Sequence, residues 1–312
     1  LQLRPAILTA VVLVSAACGQ VDHVHSATPV EAVAPAVSTP ETTTAAAPDI
    51  DLYRGLGMWT DIYEKHTYAD PEGAVADMAA HGVRTFYIET SNYKRHQAIK
   101  FAAKQARLIE AAHAAGMRVV AWFLPGFRDL RKDYARSMKA IRFRTRSGDA
   151  FDSFALDIES PLVEDPAVRT RRLLELSEAL RSAVGDGYAL GAIIPSPQGM
   201  RVHPDYWPGF PYRELDRIYD LFLPMTYFTW RVDGERAAAW YTTSVIRIIR
   251  HEVGDASVAI HVIGGISDES TRPEARGFVT AIRQQRVIGA SYYAYQGMTE
   301  PLWGELGRVP VG

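Results

Sequence analysis

The sequence is poor in the features that announce most well-marked functions. Its 312 residues include one cysteine, Cys18. That excludes an intramolecular disulfide and any zinc site built from several thiolates. There is no basic excess: the formal net charge is -2, and Lys and Arg are spread along the chain rather than gathered into an arm. A nucleic-acid partner therefore has no support. Neither a G-x-G-x-x-G nor a G-x-x-x-x-G-K-[ST] loop occurs, so the common dinucleotide and phosphate cradles are missing. No G-x-S-x-G elbow argues for a serine esterase. His66, His96 and His203 have no H-E-x-x-H or comparable spacing, so no metal and no cofactor are expected. Whatever holds this fold together is packing.

What is present begins at the N-terminus. Arg4 precedes an apolar run from Ala6 to Val14, and Ser15-Ala16-Ala17-Cys18 follows. A positive residue, a short apolar core and small residues before a break make a secretory signal peptide. The run is too short to span a membrane as a helix. A Cys directly after the small residues resembles the bacterial lipoprotein signal, in which that Cys is lipidated and becomes the mature N-terminus. Ser15 stands where an aliphatic residue is usual, and cleavage near Ala17 without lipidation is the alternative. The expectation is an exported protein: a cell-envelope lipoprotein tethered to the membrane through Cys18, or a secreted one. Residues 19–49 are rich in Ala, Thr, Pro, Val and Ser and contain no aromatic residue. Such a segment cannot bury enough surface to offset its ordering entropy, and it reads as a disordered linker.

From residue 50 to 312 the texture changes to alternating strand-like and helix-like runs. Strands are predicted at 56–61, 84–89, 117–124, 151–159, 188–194, 220–226, 258–263 and 287–295. Helices are predicted at 70–81, 96–115, 134–144, 166–184, 212–218, 235–253 and 273–285. Asp70-Pro71 is a start signal and Gly82 and Gly116 are stop signals. Eight such units over about 260 residues match a (β/α)8 TIM barrel. A doubly wound open sheet also alternates strand and helix, but it usually carries a glycine-rich first turn that this chain lacks.

Active sites of the barrel lie at the C-terminal ends of the strands. The residues expected there include Trp59 and Asp61 from the first strand and Glu89 from the second. Asp157 and Glu159 come from the fourth, Met225, Tyr227 and Trp230 from the sixth, and Tyr293, Tyr295 and Gln296 from the eighth. In an extended strand, residues two apart face the same side. Asp157 and Glu159 are thus expected to share one cavity, with Ala155 beneath them. Carboxylates with aromatics suit sugars, whose rings have apolar faces and whose hydroxyls need acceptors. Glycoside hydrolysis needs an acid to protonate the leaving oxygen and a group that stabilises the positive charge at the sugar carbon. Glu159, nearer the rim, is the candidate general acid, and Asp157 the candidate orienting or stabilising carboxylate. Glu89 or Asp61 as nucleophile or base opposite Glu159 is the other mechanism open to these residues.

A D-x-E pair ending the fourth strand resembles the family 18 chitinases and endo-N-acetylglucosaminidases, and also the family 25 lysozymes. The family 18 pattern D-x-x-D-x-D-x-E keeps Asp152, Asp157 and Glu159 here but has Ala155 at the middle acid. Its M-x-Y-D on the sixth strand becomes Met225-Thr226-Tyr227-Phe228. The resemblance implies that Glu159 protonates the glycosidic oxygen. Asp157 would orient the substrate's own N-acetyl group as nucleophile, and Tyr227 would hydrogen-bond that group. Asp61 resembles an acid that family 25 carries on its first strand. The expected function is an exported glycoside hydrolase whose partner is a carbohydrate substrate. A catalytically inactive glycan-binding barrel, like the chitinase-like lectins, is the alternative from another class, and an envelope scaffold is a third. His261, within the seventh strand, is expected to be structural.

Overall fold

The computed structural model describes residues 47–310. Cys18, the signal peptide and all of the predicted linker except its last three residues lie outside the described residues. Eight parallel strands run β1 Gly55–Thr60, β2 Thr85–Asn92, β3 Arg118–Leu124, β4 Ser153–Asp157, β5 Leu190–Ile194, β6 Leu221–Pro224, β7 His261–Ile266 and β8 Gly289–Tyr293. Their order is β6-β5-β4-β3-β2-β1-β8-β7. The first strand therefore pairs with both the second and the last. Between β6 and β7 the ring is joined by single bridges, Phe222 to Ile260 and Met225 to Ile263. This is the TIM barrel that the eight units predicted, and the open sheet is ruled out.

Side-chain alternation follows the pleat. On β3, Val119, Ala121 and Phe123 pack outward among the helices, whereas Val120 and Trp122 point inside the barrel. On β4, Phe154 and Leu156 face outward and Ala155 faces inward. A 3-10 turn, Ile50–Tyr53, closes the N-terminal end of the barrel. Tyr53 Oη lies 2.6 Å from Ser153 Oγ. His261 is buried inside, its Nδ1 2.8 Å from the Tyr53 carbonyl. Burial pushes its imidazole down to about 4, so it is a neutral structural histidine, as its position in the strand suggested.

The helices Pro166–Val184, Tyr212–Ile218 and Glu235–Val253 coincide with their predicted bounds. Two others do not. The helix predicted from His96 begins at Ala102. Residues 93–101 instead form a loop pinned by the buried Arg136, whose guanidinium donates to the carbonyls of Asn92, Arg95 and His96. The helix predicted at 134–144 spans Leu130–Ile141, because the Asp129 carboxylate accepts the Lys132 N–H at 3.1 Å and caps it early. Strand β2 also runs three residues past Glu89, through an irregularity between Glu89 and Ser91.

The helices Glu235–Val253 and Arg272–Gln285 approach so closely that a Cβ added at Gly277 would stand 2.0 Å from the Glu235 carbonyl oxygen. Backbone cannot yield as a side chain does. Gly277→Ala is expected to lower unfolding stability by about 2–3 kcal/mol, the upper part of the overpacking range. Urea titration of the full chain measures this, and an unchanged midpoint would contradict so close a contact.

Candidate active site

A cavity of about 310 Å³ opens at the C-terminal end of the strands. Of the residues singled out from sequence, Trp59, Glu89, Asp157, Glu159, Met225, Tyr227, Trp230 and Tyr293 line it. Asp157 is the last residue of β4. Glu159 lies two residues beyond that end, along a path kept extended by the Ile158 N–H donating to the Ile193 carbonyl. The two acids share the cavity as the strand period required.

Their environments differ. Asp157 is 5% exposed, and its Oδ1 is buried without a hydrogen-bond partner in the protein. Burial, then the charges of Glu159 and Glu89, push its carboxyl well above the usual carboxylate range. Glu159 is half-buried, and burial raises it too, against the pull of the Lys94 ammonium. Its backbone carbonyl accepts the Tyr206 hydroxyl at 2.5 Å, which fixes the chain just where the strand ends.

Glu89 is the third acid and sits on β2. At 2% exposure it is more enclosed than either. Oε2 accepts the Ile62 N–H at 3.0 Å, and Oε1 accepts the Asn92 amide at 2.8 Å. Those donors favour the carboxylate, but desolvation outweighs them and raises the group to about 7. Three carboxyl groups in one low-dielectric cavity do not all ionise at neutral pH.

The aromatic residues divide by role. Trp59 is 1% exposed and stacked on Tyr87, with centroids 4.1 Å apart. Its Nε1 donates to Ser291 Oγ at 2.7 Å, so it floors the cavity rather than offering a stacking face. Trp122, beside it, has a buried Nε1 with no partner. Trp230 is 58% exposed and presents a platform at the rim. Tyr227 lies between Trp230 and Tyr293, with centroids at 5.5 and 6.0 Å. Burial and the neighbouring acids Glu159, Asp157 and Asp61 hold its hydroxyl well above the usual phenol range, hence protonated.

Three expected substrate contacts are placed elsewhere. Asp61 does not line the cavity; its Oδ2 accepts the Tyr293 hydroxyl at 2.7 Å and its Oδ1 caps the turn at Tyr63 and Glu64. It therefore stands behind Tyr293. Tyr295 points away, donating to Asp77 Oδ2 at 2.9 Å, and Gln296 is exposed beyond it. Strand β8 ends at Tyr293 and the chain turns there, which carries both residues off the cavity. Asp152, the other acid matching the family 18 pattern, lies before β4 and pairs with His113 and the Val119 N–H. Sequence reasoning missed Tyr63, Lys94 and Tyr206. The first two lie in loops that regular periodicity cannot place, and Tyr206 stands 47 residues from its partner.

The sign of the pH effect on stability follows from Glu89. Unfolded, it releases its proton near the ordinary 4.5; folded, near 7. The folded chain thus holds more protons between these values, so stability falls as pH rises through that window. Glu89→Gln is expected to flatten this fall, raising stability at pH 7.5 relative to pH 4.5 by on the order of 2–3 kcal/mol. Unfolding midpoints of parent and variant across this range decide it; parallel pH curves would show that Glu89 titrates normally.

No protein-family model matches this sequence, and no curated protein matches it either. Solved structures share its fold. It is similar to the endo-beta-1,4-mannanase from Thermotoga petrophila, 12% identical with a TM-score of 0.62 over 81% of this chain and 75% of that one. The spore cortex-lytic enzyme SleL of Bacillus cereus is 10% identical, with a TM-score of 0.60 over 82% and 74% of the two chains. A chitinase from Chromobacterium violaceum is 12% identical, with a TM-score of 0.57 over 82% and 98%. At such identities the likeness is one of fold.

Proposed function

We propose that this chain is a glycoside hydrolase acting on a polysaccharide, with Glu159 as general acid and Asp157 as its supporting carboxylate. The observation that carries this is the pair itself. Two carboxyl groups at the end of β4 share one cavity, and the deeper one holds a buried oxygen with no protein partner. An unsatisfied buried carboxyl is costly where it serves only structure. It is reasonable where a substrate group completes it. The fold neighbours named as mannanase, chitinase and cortex-lytic enzyme are consistent with a glycan ligand.

The chemistry follows from the environments. Glu159, raised by burial, keeps its proton to higher pH than a free glutamate and delivers it to the glycosidic oxygen. The carbon–oxygen bond breaks, and its electron pair leaves with the protonated oxygen. Positive charge grows at the sugar carbon, and Glu89, held by Ile62 and Asn92, offers negative charge nearby once ionised above about pH 7. Water then adds at that carbon and its proton returns to Glu159. Where the substrate carries an N-acetyl group, Asp157 and the Tyr227 hydroxyl hold it as the internal nucleophile. Trp230 supplies the stacking face at the rim.

Glu159→Gln retains shape and hydrogen-bonding capacity but has no proton to give. It is expected to lower the release of reducing ends by about 10²–10⁴-fold, measured on a panel of peptidoglycan, chitooligosaccharide, arabinan, galactan and α-glucan. If parent and variant bind a glycan equally and neither yields products, the chain is the inactive binding barrel instead. Export to the cell envelope belongs to the same proposal and rests on residues 1–18. Metabolic labelling with a palmitate analogue is expected to mark the parent and not Cys18→Ala. Equal labelling of the two, or none of either, overturns the anchor.

A further inference from the structure

A second cavity, of about 280 Å³, adjoins the first and shares Glu159, Met225, Tyr227 and Trp230 with it. The cleft is therefore two-sided, with the candidate general acid at the junction. The two sides differ in charge. The first holds Glu89 and Asp157, with Lys94 at its rim. The second holds no acid besides Glu159, and its other ionisable side chains are Arg231, His203 and the tyrosines Tyr206, Tyr227 and Tyr241.

Arg231 has no carboxylate partner among the described residues. Its Nη1 donates to His203 Nε2 at 3.3 Å. Its Nη2 lies against the start of the helix Pro197–Val202, 3.7 Å from where a Cβ on Gly199 would stand. The guanidinium is exposed, yet it lines the second cavity and is held at its wall by these two contacts. Of the acids paired with other residues of this wall, Glu269 accepts from Trp230 and Glu252 pairs with Arg201. Ser196 Oγ and Tyr241 Oη, 2.8 Å apart, add hydroxyl groups to the same wall.

A general acid protonates the oxygen that departs, so the leaving sugar lies on the far side of Glu159 from Asp157. On the hydrolase assignment, on which this depends, the second cavity holds that sugar. We propose that it takes a sugar bearing a carboxylate, read by Arg231 with His203 behind it. A planar guanidinium matches a carboxylate with two parallel hydrogen bonds. The same carboxylate turned into the first cavity would stand beside Glu89 and Asp157, where burial already disfavours negative charge. Charge then fixes the direction in which the glycan lies, by rejecting the reverse placement as well as by favouring the correct one.

Two sources supply this chemistry: hexuronic acid residues, and muramic acid residues whose lactyl ether ends in a carboxylate. The test uses the full chain carrying Glu159→Gln, so that binding is read without turnover. Hexuronate oligosaccharides form one arm and muramic-containing peptidoglycan fragments the other, each against its carboxyl-reduced counterpart, by calorimetry at low and high salt. The expected result is at least a tenfold preference for the acidic form in one arm, weakening with salt. Adding Arg231→Gln brings that preference below twofold, and Arg231→Lys leaves it intermediate, because one ammonium cannot make the paired contact. Absence of binding in both arms, absence of preference, or a preference that survives Arg231→Gln overturns the proposal. Failure of the hydrolase assignment is separate: it shows as acid-selective binding with no cleavage by the parent.

Discussion

Space inside the barrel is the constraint on which the rest depends. Tyr53, Trp59, Tyr87 and Trp122 all point into a ring of only eight strands. They fit because the facing positions are nearly empty. A Cβ on Gly57 would come within 2.6 Å of the Tyr87 ring, and one on Gly191 within 3.1 Å of Tyr53 Oη. Ala155 belongs to the same set: it is fully buried, in register with Trp122, and 3.2 Å from that Gly191 position. An acidic side chain at 155 would need volume that the aromatics already occupy. The way this interior is filled leaves no room for an acid at 155.

The sixth strand tells the same story. Where that family shows an acid after its tyrosine, Phe228 is fully buried against Phe278 and Tyr292, with centroids at 5.9 and 6.2 Å. A Cβ on Gly265 would stand 2.9 Å from the Phe228 ring, so the strand-7 glycine is what admits it. Residues 155 and 228 both serve packing. Yet Tyr227, one residue earlier, still faces the cavity, because the turn after β6 puts consecutive side chains on opposite sides.

How much of this was legible follows from the range of each interaction. The eight units are written in local signals. Asp70, for example, accepts the Gly73 N–H and starts the helix Pro71–Ala80 with its own side chain. Asp157 and Glu159 share a cavity because of the two-residue pleat, which any extended segment obeys. By contrast, the loop carrying Lys94 is shaped by Arg136, more than 40 residues away. Asp61 and Tyr293 find each other across 232 residues. Tyr295 would face the cavity only if the last strand continued to it; its bond to Asp77 lies on the other side of the turn that ends the strand at Tyr293. Periodicity gives the face of a strand but not the residue at which the strand stops.

These substitutions change what Asp157 can be. With neither residue 155 nor residue 228 acidic, no carboxylate stands directly below it on β4 or after the tyrosine on β6. Its proton is held first by burial and then by the charges of Glu159 and Glu89. Glu89, on β2, has two N–H donors that favour its anion, whereas the buried Oδ1 of Asp157 has none. A cavity that admits limited negative charge places it where donors already exist. On the hydrolase proposal, Glu89 then carries the negative charge above about pH 7, and Asp157 enters the reaction as a neutral carboxylic acid, able to donate a hydrogen bond to the substrate. The supporting acid stands not on β4 itself but on β2, two strands away across β3. There it is held by Ile62 and Asn92, and it reaches Asp157 through the field of its charge.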